Sequence, residues 1–306
     1  MSAPIHRETA GVFVIAATPF AEDGALDLDS TDRMVDFTLG HGADGLTVLG
    51  VMGEAPKLAG EEALTFAARV IARAPVPVVV GVSAAGIEPM RRLAHAVMER
   101  GAAGVMVAPP PGLATEPRQR AYFAQVCEAL GSDVPVCLQD YPALTGVQLS
   151  VETILALTRD HPQIVMLKHE DWPGLAKLAR VRTEAAPRMS ILTGNSGLFL
   201  PLELARGADG AMTGFAYPEM MAQVVARHRA GDPGGAEDLF DAYLPLVRYE
   251  QQPGLGLAIR KETLRRRGAI ASAAVRAPGP RMSASDHDEL TRLVTRLDRR
   301  LAELGA

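Results

Sequence analysis

"RGADGAMTGF", residues 206–215, has two close echoes earlier in the chain: "HGADGLTVLG" at 41–50 and "RGAAGVMVAP" at 100–109. Each stretch begins with a basic residue and Gly-Ala, and a second glycine then leads into an apolar run. A basic residue suits the negative end of a helix dipole, and glycine suits the left-handed position that follows a helix. The pattern therefore predicts, three times, a helix that ends and a buried strand that begins directly after it.

Five further apolar runs preceded by turn residues complete a set of eight strand candidates, at 11–20, 75–81, 133–140, 162–167 and 187–194. Between the candidates, apolar residues recur at three- and four-residue spacing, which predicts one-sided helices at 30–42, 60–74, 89–101, 118–130 and 150–160. The strand candidates are continuously apolar, which is typical of parallel strands buried on both faces. We therefore predict an α/β fold, a (β/α)8 TIM barrel over residues 1–225.

The structural alternative is an open doubly wound sheet, but "ATPFAEDG" (17–24) follows the first strand where that fold has a glycine fingerprint. The strand pattern stops after about residue 218, and residues 226–306 are predicted to form a helical extension packed on the barrel. Within it, "RKETLRRRG" (260–268) is a charge run expected on a solvated helix face.

Helix starts are also predicted. Asp29 or Ser30 is expected to cap the helix at 30–42, and Ser150, with Glu152 behind it, is expected to cap the helix at 150–160.

Composition restricts the class of protein. The chain has 306 residues, 48% hydrophobic and 22% charged, with a formal net charge of −5, so neither nucleic acid nor an anionic membrane is an expected partner. No apolar run approaches the roughly 18 residues of a membrane span, and the start lacks a secretory leader pattern. The two cysteines, Cys127 and Cys137, form neither a disulfide framework nor a zinc site. We expect a cytoplasmic protein without a metal, in which Cys127 is a core residue of a helix.

A lysine ends one of the predicted strands. The stretch "IVMLKHED" (164–171) places Lys168 after four apolar residues, and the chain has only three other lysines. Active sites of these barrels lie at the carboxyl ends of the strands, so this side chain can enter the barrel mouth. A lysine held there out of water favours its neutral amine, which can form a Schiff base with a 2-oxo acid. The alternative is a lysine that caps the strand and extends to solvent.

The ends of three other strands offer backbone groups to a ligand. In "GVMGE" (50–54), Gly50 and Gly53 flank Val51 and Met52, whose N–H groups could hold a carboxylate. The glycines of "LTGNSG" (192–197) and "AMTGFAYP" (211–218) allow a ligand to approach the backbone closely.

Six motifs in order give the chain a clear resemblance: "ATPF" (17–20), "GVMGE", "PALTG" (142–146), "IVMLKHED", "LTGNSG" and "GADGAMTG" (207–214). The sequence resembles the dihydrodipicolinate synthase / N-acetylneuraminate lyase family, the pyruvate-type class I aldolases, over nearly its whole length. The resemblance implies that Lys168 is the Schiff-base residue and that the chemistry needs no cofactor. It also implies carboxylate binding by Val51 and Met52, a wall near Gly194 and Met212, a place for Thr18 beside the substrate, and a homo-oligomer, usually a tetramer.

The sequence departs from the family where that family carries hydroxyl groups. Gln139 stands at the position of the tyrosine that the family typically carries at the end of strand five, and Leu144 stands where the synthases have an arginine. Val51 and Met52 replace two threonines, and the second relay tyrosine corresponds to Pro111. A register shift that moves Tyr141 onto the first tyrosine is possible, but the proline and Thr-Gly matches then fail. Tetrahydrodipicolinate synthesis and plain neuraminate cleavage are therefore not expected.

Proton transfer must then come from other groups. Side chains alternate along a strand, so Glu170 shares a face with Lys168 and His169 faces the helices. Glu170 is the first candidate for a general acid or base, and Tyr141, on the same face as Gln139, is the second. An exposed loop carboxylate is the alternative for Glu170.

Neighbouring polar residues receive structural or binding roles. Asp140 is expected to cap a turn, His169 to form a core hydrogen bond, and Glu54 to fix its own loop. Asn195 and Ser196 either bind hydroxyl groups of a substrate tail or serve as turn residues.

The leading hypothesis is a class I lyase, an aldolase or dehydratase, that acts on a 2-oxo acid with a short hydroxylated tail, such as a 2-keto-3-deoxy sugar acid. Dehydration is favoured over cleavage because retro-aldol chemistry needs the missing tyrosine. The alternatives are a synthase-like condensation of pyruvate with an aldehyde, a non-catalytic 2-oxo-acid-binding protein, and a phosphate-binding barrel enzyme suggested by the glycines after strands seven and eight.

Overall fold

Eight parallel strands close into a barrel in the computed structural model, which describes residues 3–172 and 174–305. Each strand pairs with the next along the chain, and β8 pairs with β1. The strands are β1 Gly11–Ile15, β2 Gly45–Val48, β3 Val78–Gly81, β4 Gly104–Val107, β5 Val136–Asp140, β6 Ile164–His169, β7 Ser190–Thr193 and β8 Gly210–Thr213. The predicted (β/α)8 TIM barrel is confirmed, with all eight strands inside the predicted stretches or within two residues of them.

Helices alternate with the strands and cover the outside of the barrel. They are α1 Leu28–Gly40, α2 Gly60–Arg73, α3 Ile87–Met98, α4 Glu116–Leu130, α5 Pro142–Thr145, α6 Val151–Asp160, α7 Leu175–Glu184, α8 Leu200–Ala205 and α9 Pro218–Arg229. A larger apolar core lies between strands and helices and includes Cys127 of α4, which is buried as predicted. A smaller core fills the barrel interior and includes Phe13, Cys137 and Met212.

The glycines of the repeated pattern have the predicted conformation. Gly42, Gly101 and Gly207 all have φ between 87° and 95°, and each follows the basic residue that ends its helix or turn. The predicted cap of α6 is also confirmed, because the Ser150 side chain accepts a hydrogen bond from the Thr153 N–H group. The predicted cap of α1 is wrong. Asp27 caps that helix, and its carboxylate accepts from the N–H group of Ser30.

In the helical extension predicted after the barrel, residues up to 305 form three helices, α10 Pro233–Glu250, α11 Gly256–Arg266 and α12 Ala284–Leu304. Helix α10 packs against α9, α11 and α12, which attaches the extension to the barrel's last helix. The predicted division at residue 225 falls inside α9, a helix that also packs on β1, and it stays a prediction. None of the helices described here combines the length and hydropathy of a membrane span.

The charge run at 260–268 is not a uniformly solvated face, so this prediction is wrong for its first residues. Arg260 is 2% exposed and Lys261 is fully buried. Each has a carboxylate partner on another segment of the chain, Glu250 for Arg260 and Glu54 for Lys261. Only the last residues of the run, such as Arg265, are partly exposed as predicted. The buried pairs bring α11 to the mouth of the barrel.

Candidate active site

A cavity of about 60 Å³ lies at the carboxyl ends of the strands. Most of its lining is polar, and the extension contributes two of its residues, Gln251 and Arg260. The full lining consists of Ile15, Val51, Met52, Gln139, Tyr141, Lys168, Glu170, Asn195, Ser196, Thr213, Gly214, Gln251 and Arg260. The structure thus brings together eight of the eleven site residues predicted from the sequence.

Lys168, Glu170 and Gln139 form the centre of this cavity. Lys168 Nζ lies 2.9 Å from Glu170 Oε2, and Gln139 Nε2 donates to the same oxygen over 2.8 Å. Gln139 pairs with Lys168 in the register of β5 and β6, and alternation along β6 places Glu170 on the same face. All three side chains are buried, so Glu170 is not an exposed loop carboxylate. The arrangement gives the amine a neighbouring proton acceptor that is already oriented.

The loop after β7 is built around Glu170. A Cβ atom on Gly194 would lie 2.3 Å from Glu170 Oε1, so only glycine leaves room for this carboxylate. Asn195 Nδ2 donates to the backbone carbonyl of Glu170 over 3.3 Å. Asn195 and Ser196 both have positive φ, near 52°, a conformation that costs free energy in residues other than glycine. Gly194 therefore makes space for the carboxylate, and the two polar residues reach the cavity through a strained turn.

The loop after β2 presents Val51 and Met52 to the cavity. These residues begin a short 3-10 turn, Val51–Gly53, and their N–H groups donate no hydrogen bond to the described part of the chain. Thr18 does not line the cavity. Its hydroxyl donates to the Gly53 carbonyl over 2.6 Å and so supports this loop from behind.

Besides Thr18, the sequence-derived candidates outside the lining are Gly194, whose contact with Glu170 is described above, and Met212. Met212 is buried in the barrel interior, where its sulfur lies 3.8 Å from Cys137 Sγ. Pro111 and Leu144, at two positions where the family resemblance places polar groups, line a separate and largely apolar cavity of about 960 Å³. In this chain those two positions therefore contribute no hydroxyl or guanidinium group to the cavity that contains Lys168.

Glu54 anchors the loop of Val51 and Met52 to the helical extension. The backbone of Glu54 has φ of 55°, and its carboxylate is buried. One carboxylate oxygen accepts a hydrogen bond from Lys261 Nζ over 2.5 Å. The other oxygen accepts from Lys57 Nζ and from the Arg276 N–H group, each over 3.0 Å. The predicted role of Glu54 in fixing its own loop is confirmed, and its partners include residues more than 200 positions away.

Removing the buried partner should weaken the fold more than removing the exposed one. We expect Lys261→Ala to lower the free energy of unfolding by about 3 kcal/mol, because a buried carboxylate loses its nearest cation. Lys57→Ala, which removes the partly exposed partner of the same carboxylate, should cost about 1 kcal/mol or less. Urea denaturation of both variants measures the difference, and equal losses would show that the buried pair has no special role.

Tyr141 lies at the rim of the cavity. Burial first, and then the negative charge of Glu170, raises the pKa of the Tyr141 phenol above its ordinary value. The phenol therefore keeps its proton at neutral pH and acts as a hydrogen-bond donor. This property agrees with the prediction of Tyr141 as a second acid-base candidate but does not test it.

Sequence reasoning missed four residues of the cavity, which are Ile15, Thr213, Gln251 and Arg260. Two of them, Arg260 and Thr213, form hydrogen bonds with Ser196. Arg260 Nη2 donates to Ser196 Oγ over 3.0 Å and also to the Gly214 carbonyl. Thr213 Oγ1 accepts from the Ser196 N–H group over 2.7 Å. The signal for Thr213 was present in the motif "GADGAMTG", whose strand ends at this residue. No local pattern indicates Arg260, because it lies in a charge run.

On the outer side of β5 and β6 lies a second buried polar group. His169 Nε2 is 3.0 Å from the Gly174 carbonyl oxygen, which confirms the predicted core hydrogen bond. The prediction that Asp140 caps a turn is wrong. Asp140 is buried, pairs with Lys177 Nζ at 2.6 Å and lies 3.6 Å from His169 Nδ1. Lys177 also contacts Asp171. This group faces the helices and joins β5, β6 and α7 behind Gln139 and Lys168.

Glu203 of α8 should give the stability of the protein a distinct pH dependence. Burial raises the pKa of this carboxyl to about 7, from an ordinary value of 4.5. Between these values the folded protein holds more protons than the unfolded chain, so the free energy of unfolding falls as pH rises through the window. We expect Glu203→Gln to remove a decline on the order of 2–3 kcal/mol between pH 5 and 8. Urea denaturation across this range tests the prediction, and Glu237→Gln, at an exposed position of α10, should leave the decline in place.

Comparison with known proteins identifies the family. The model of the dihydrodipicolinate synthetase family matches residues 8–297. The chain belongs to this family. The predicted family resemblance is thereby confirmed, and the family comprises synthases and lyases that share the barrel described above.

Three similar proteins have different descriptions. The chain is 32% identical to L-2-keto-3-deoxyarabonate dehydratase of Azospirillum brasilense, over 97% of this chain and 96% of that protein. It is 48% identical to a crystal structure of dihydrodipicolinate synthase from Rhodopseudomonas palustris, with a TM-score of 0.95 and coverage of 96% and 100%. A prophage protein of the same family from E. coli K12, crystallised with pyruvate, is 26% identical with a TM-score of 0.86 and coverage of 94% and 98%.

Proposed function

We propose that the protein is a Schiff-base-forming dehydratase of a 2-keto-3-deoxy sugar acid, with Lys168 as the nucleophile and Glu170 as the general acid and base. The observation that carries the proposal is the shared oxygen Glu170 Oε2, which contacts both Lys168 Nζ at 2.9 Å and Gln139 Nε2 at 2.8 Å. A glutamine stands where the family's lyases use a tyrosine, so the carboxylate is the strongest acid-base group in the cavity. The dehydratase among the relatives, at 32% identity, supports this choice of reaction.

In the first half of the proposed reaction, the substrate carboxylate binds the N–H groups of Val51 and Met52. Glu170 accepts a proton from Lys168, and the amine then attacks carbon 2 of the substrate. The oxygen of that carbon leaves as water, and a protonated imine forms. Because the imine withdraws electrons, the protons on carbon 3 become acidic. Glu170 can remove one of them and leave an enamine.

In the second half, the enamine electrons expel the hydroxyl group from carbon 4. Glu170 returns the proton it took from carbon 3, so the group leaves as water and an unsaturated imine remains. Hydrolysis of that imine releases the product and frees Lys168. Where carbon 5 carries a hydroxyl group, migration of the double bond to carbon 5 gives an enol and hence a 2,5-dioxo acid. One carboxylate therefore performs both proton transfers of the elimination.

A second candidate is condensation of pyruvate with an aldehyde, as in the synthases. The neighbour at 48% identity and TM-score 0.95 favours it, since that structure is described as a dihydrodipicolinate synthase. The cavity of this chain weighs against it. Gln139, Val51 and Met52 supply no hydroxyl group at the positions where the synthases carry a tyrosine and two threonines.

Reductive trapping and product analysis separate the candidates. The protein is incubated with pyruvate or with either epimer of a five-carbon 2-keto-3-deoxy acid, and borohydride then fixes any imine for intact-mass measurement. The dehydratase proposal expects adducts with all 2-oxo acids and release of a 2,5-dioxo acid from one epimer only. Pyruvate and aspartate semialdehyde form the competing assay. Turnover there without dehydration would replace the proposal with the synthase reaction.

A further inference from the structure

We propose that Arg260 of α11 is a positioning residue that makes the cavity selective for an uncharged, hydroxylated substrate tail, acting through Ser196. This inference rests on the proposed Schiff-base function and adds the part of the substrate that the helical extension selects. The extension thus takes part in the site rather than only packing on the barrel.

The directions of the hydrogen bonds around Ser196 and Thr213 leave two hydroxyl groups available to a ligand. Arg260 can only donate, so Ser196 Oγ accepts over 3.0 Å and its own proton points elsewhere. Thr213 Oγ1 likewise accepts from the Ser196 N–H group over 2.7 Å. Neither hydroxyl donates a hydrogen bond to any residue in the described ranges, and both side chains are buried and line the cavity. Two hydroxyl groups are therefore left as donors, and the ligand that satisfies them must offer an oxygen acceptor.

The charges of the cavity favour an uncharged substrate tail. Glu250 of α10, which is buried, binds Arg260 Nε and also accepts from the Ala216 N–H group over 3.3 Å. Arg260 and Lys168 are therefore each paired with a buried carboxylate, while Arg260 Nη1 is buried and has no hydrogen-bond partner among the described residues. The substrate's own carboxylate has the N–H groups of Val51 and Met52. A second carboxylate on the tail would meet only cations that already pair with a carboxylate, and burial of an additional negative charge is costly. An uncharged hydroxyl oxygen can accept from Arg260 Nη1 without that cost.

The strained backbone of Ser196 is held in place by its contacts with Arg260 and Thr213. Ser196 has φ of 53°, which L-residues rarely adopt without support. The contacts from Arg260 Nη2 to Ser196 Oγ and from the Ser196 N–H group to Thr213 hold this turn. A lysine at position 260 could keep the charge beside Glu250 but lacks the planar fork that reaches Glu250, Ser196 and Gly214 together.

The test measures adduct formation rather than turnover. Three five-carbon probes differ only in their tails: 2-keto-3-deoxypentonate carries hydroxyl groups, 2-oxopentanoate none and 2-oxoglutarate a carboxylate. Borohydride trapping at a fixed short time gives the half-saturating concentration for each, counting intact and dehydrated adducts together. For the unmodified protein we expect one epimer of the hydroxylated acid to bind at least about tenfold better than 2-oxopentanoate, and 2-oxoglutarate to bind worst.

Arg260→Lys should reduce the preference for the hydroxylated acid about tenfold. The half-saturating concentration of 2-oxopentanoate should stay within twofold of its value in the unmodified protein. Ser196→Ala should have the same effect, and the double variant should lose no more than either single variant. The control is Arg267→Lys, which alters an arginine of the same segment that binds Glu219 and the Ala216 carbonyl outside the cavity. It should change none of the three probes.

Other outcomes overturn the inference in recognisable ways. Equal losses for all three probes would make Arg260 a structural residue only, and additive losses in the double variant would show that it does not act through Ser196. A preference for 2-oxoglutarate would assign the tail a charge. Adducts without any dehydration would defeat the proposed reaction while leaving the role of Arg260 measurable, and no adduct with any probe would defeat both.

Discussion

Lys168→Arg is expected to abolish the covalent adduct with pyruvate and to lower turnover by at least about 10⁴-fold. The Lys168 side chain is only 3% exposed and pairs with Glu170. Arginine keeps a positive charge at this position, so an ion pair with Glu170 can still form. Its guanidinium group does not lose a proton in proteins, however, and cannot attack carbon 2 of a 2-oxo acid. The variant therefore removes the nucleophilic amine and keeps the positive charge. Intact mass after borohydride treatment measures the adduct, and a discontinuous assay of product measures turnover.

The matched control is Lys177→Arg. Lys177 belongs to the neighbouring helix α7 and pairs with Asp140 on the outer side of the sheet, so arginine preserves that contact without touching the cavity. This control should keep the adduct and most of the turnover. An adduct that survives in Lys168→Arg would place the Schiff base on another amine. Peptide mapping would then identify it among the three remaining lysines.

The strands and the central residues were predictable because their signals are local. Glycine after a basic residue fixes where each helix ends, and a continuous apolar run follows within a few positions, as in 206–215. Alternation with a period of two placed Glu170 beside Lys168, and the structure has these side chains 2.9 Å apart. Both features depend only on residues that are close together in the sequence.

The contribution of the extension was not predictable from local pattern. Arg260 and Lys261 lie in a run of charges, and charged residues are exposed unless a partner compensates them. Their partners, Glu250 and Glu54, are 10 and 207 positions away, and only the closed barrel brings Glu54 to α11. The same limitation applies to Thr18, whose hydroxyl binds the Gly53 carbonyl rather than facing the cavity. Motif order predicts the strand ends and cannot decide which side chains turn toward the ligand.

Glu170→Gln is expected to keep the adduct and lose the reaction. The amide preserves the size of the side chain and can still contact Lys168 and Gln139. Because water can take the proton from Lys168 in place of the carboxylate, imine formation with pyruvate should remain within about tenfold. It cannot take a proton from carbon 3 or return one to the leaving hydroxyl group. Turnover of the 2-keto-3-deoxy acid should therefore fall by about 10²–10⁴-fold, the usual contribution of a general acid or base. The trapped species should be the intact acid rather than its dehydrated form, 18 mass units lighter by the mass of water.

The matched control is Glu203→Gln. Glu203 is also a buried carboxyl, and it lies close enough to Glu170 for the charge of Glu170 to raise the pKa of Glu203. Glu203 does not line the cavity, so its amide should leave turnover within a few-fold while altering the stability profile described above. Full turnover in Glu170→Gln would transfer the proton chemistry to Tyr141, the other ionisable group at the rim, and Tyr141→Phe would then become the decisive variant. Loss of both adduct and turnover in Glu170→Gln would instead mean that the carboxylate is needed to activate Lys168, which makes proton removal from the amine, rather than from carbon 3, its principal role.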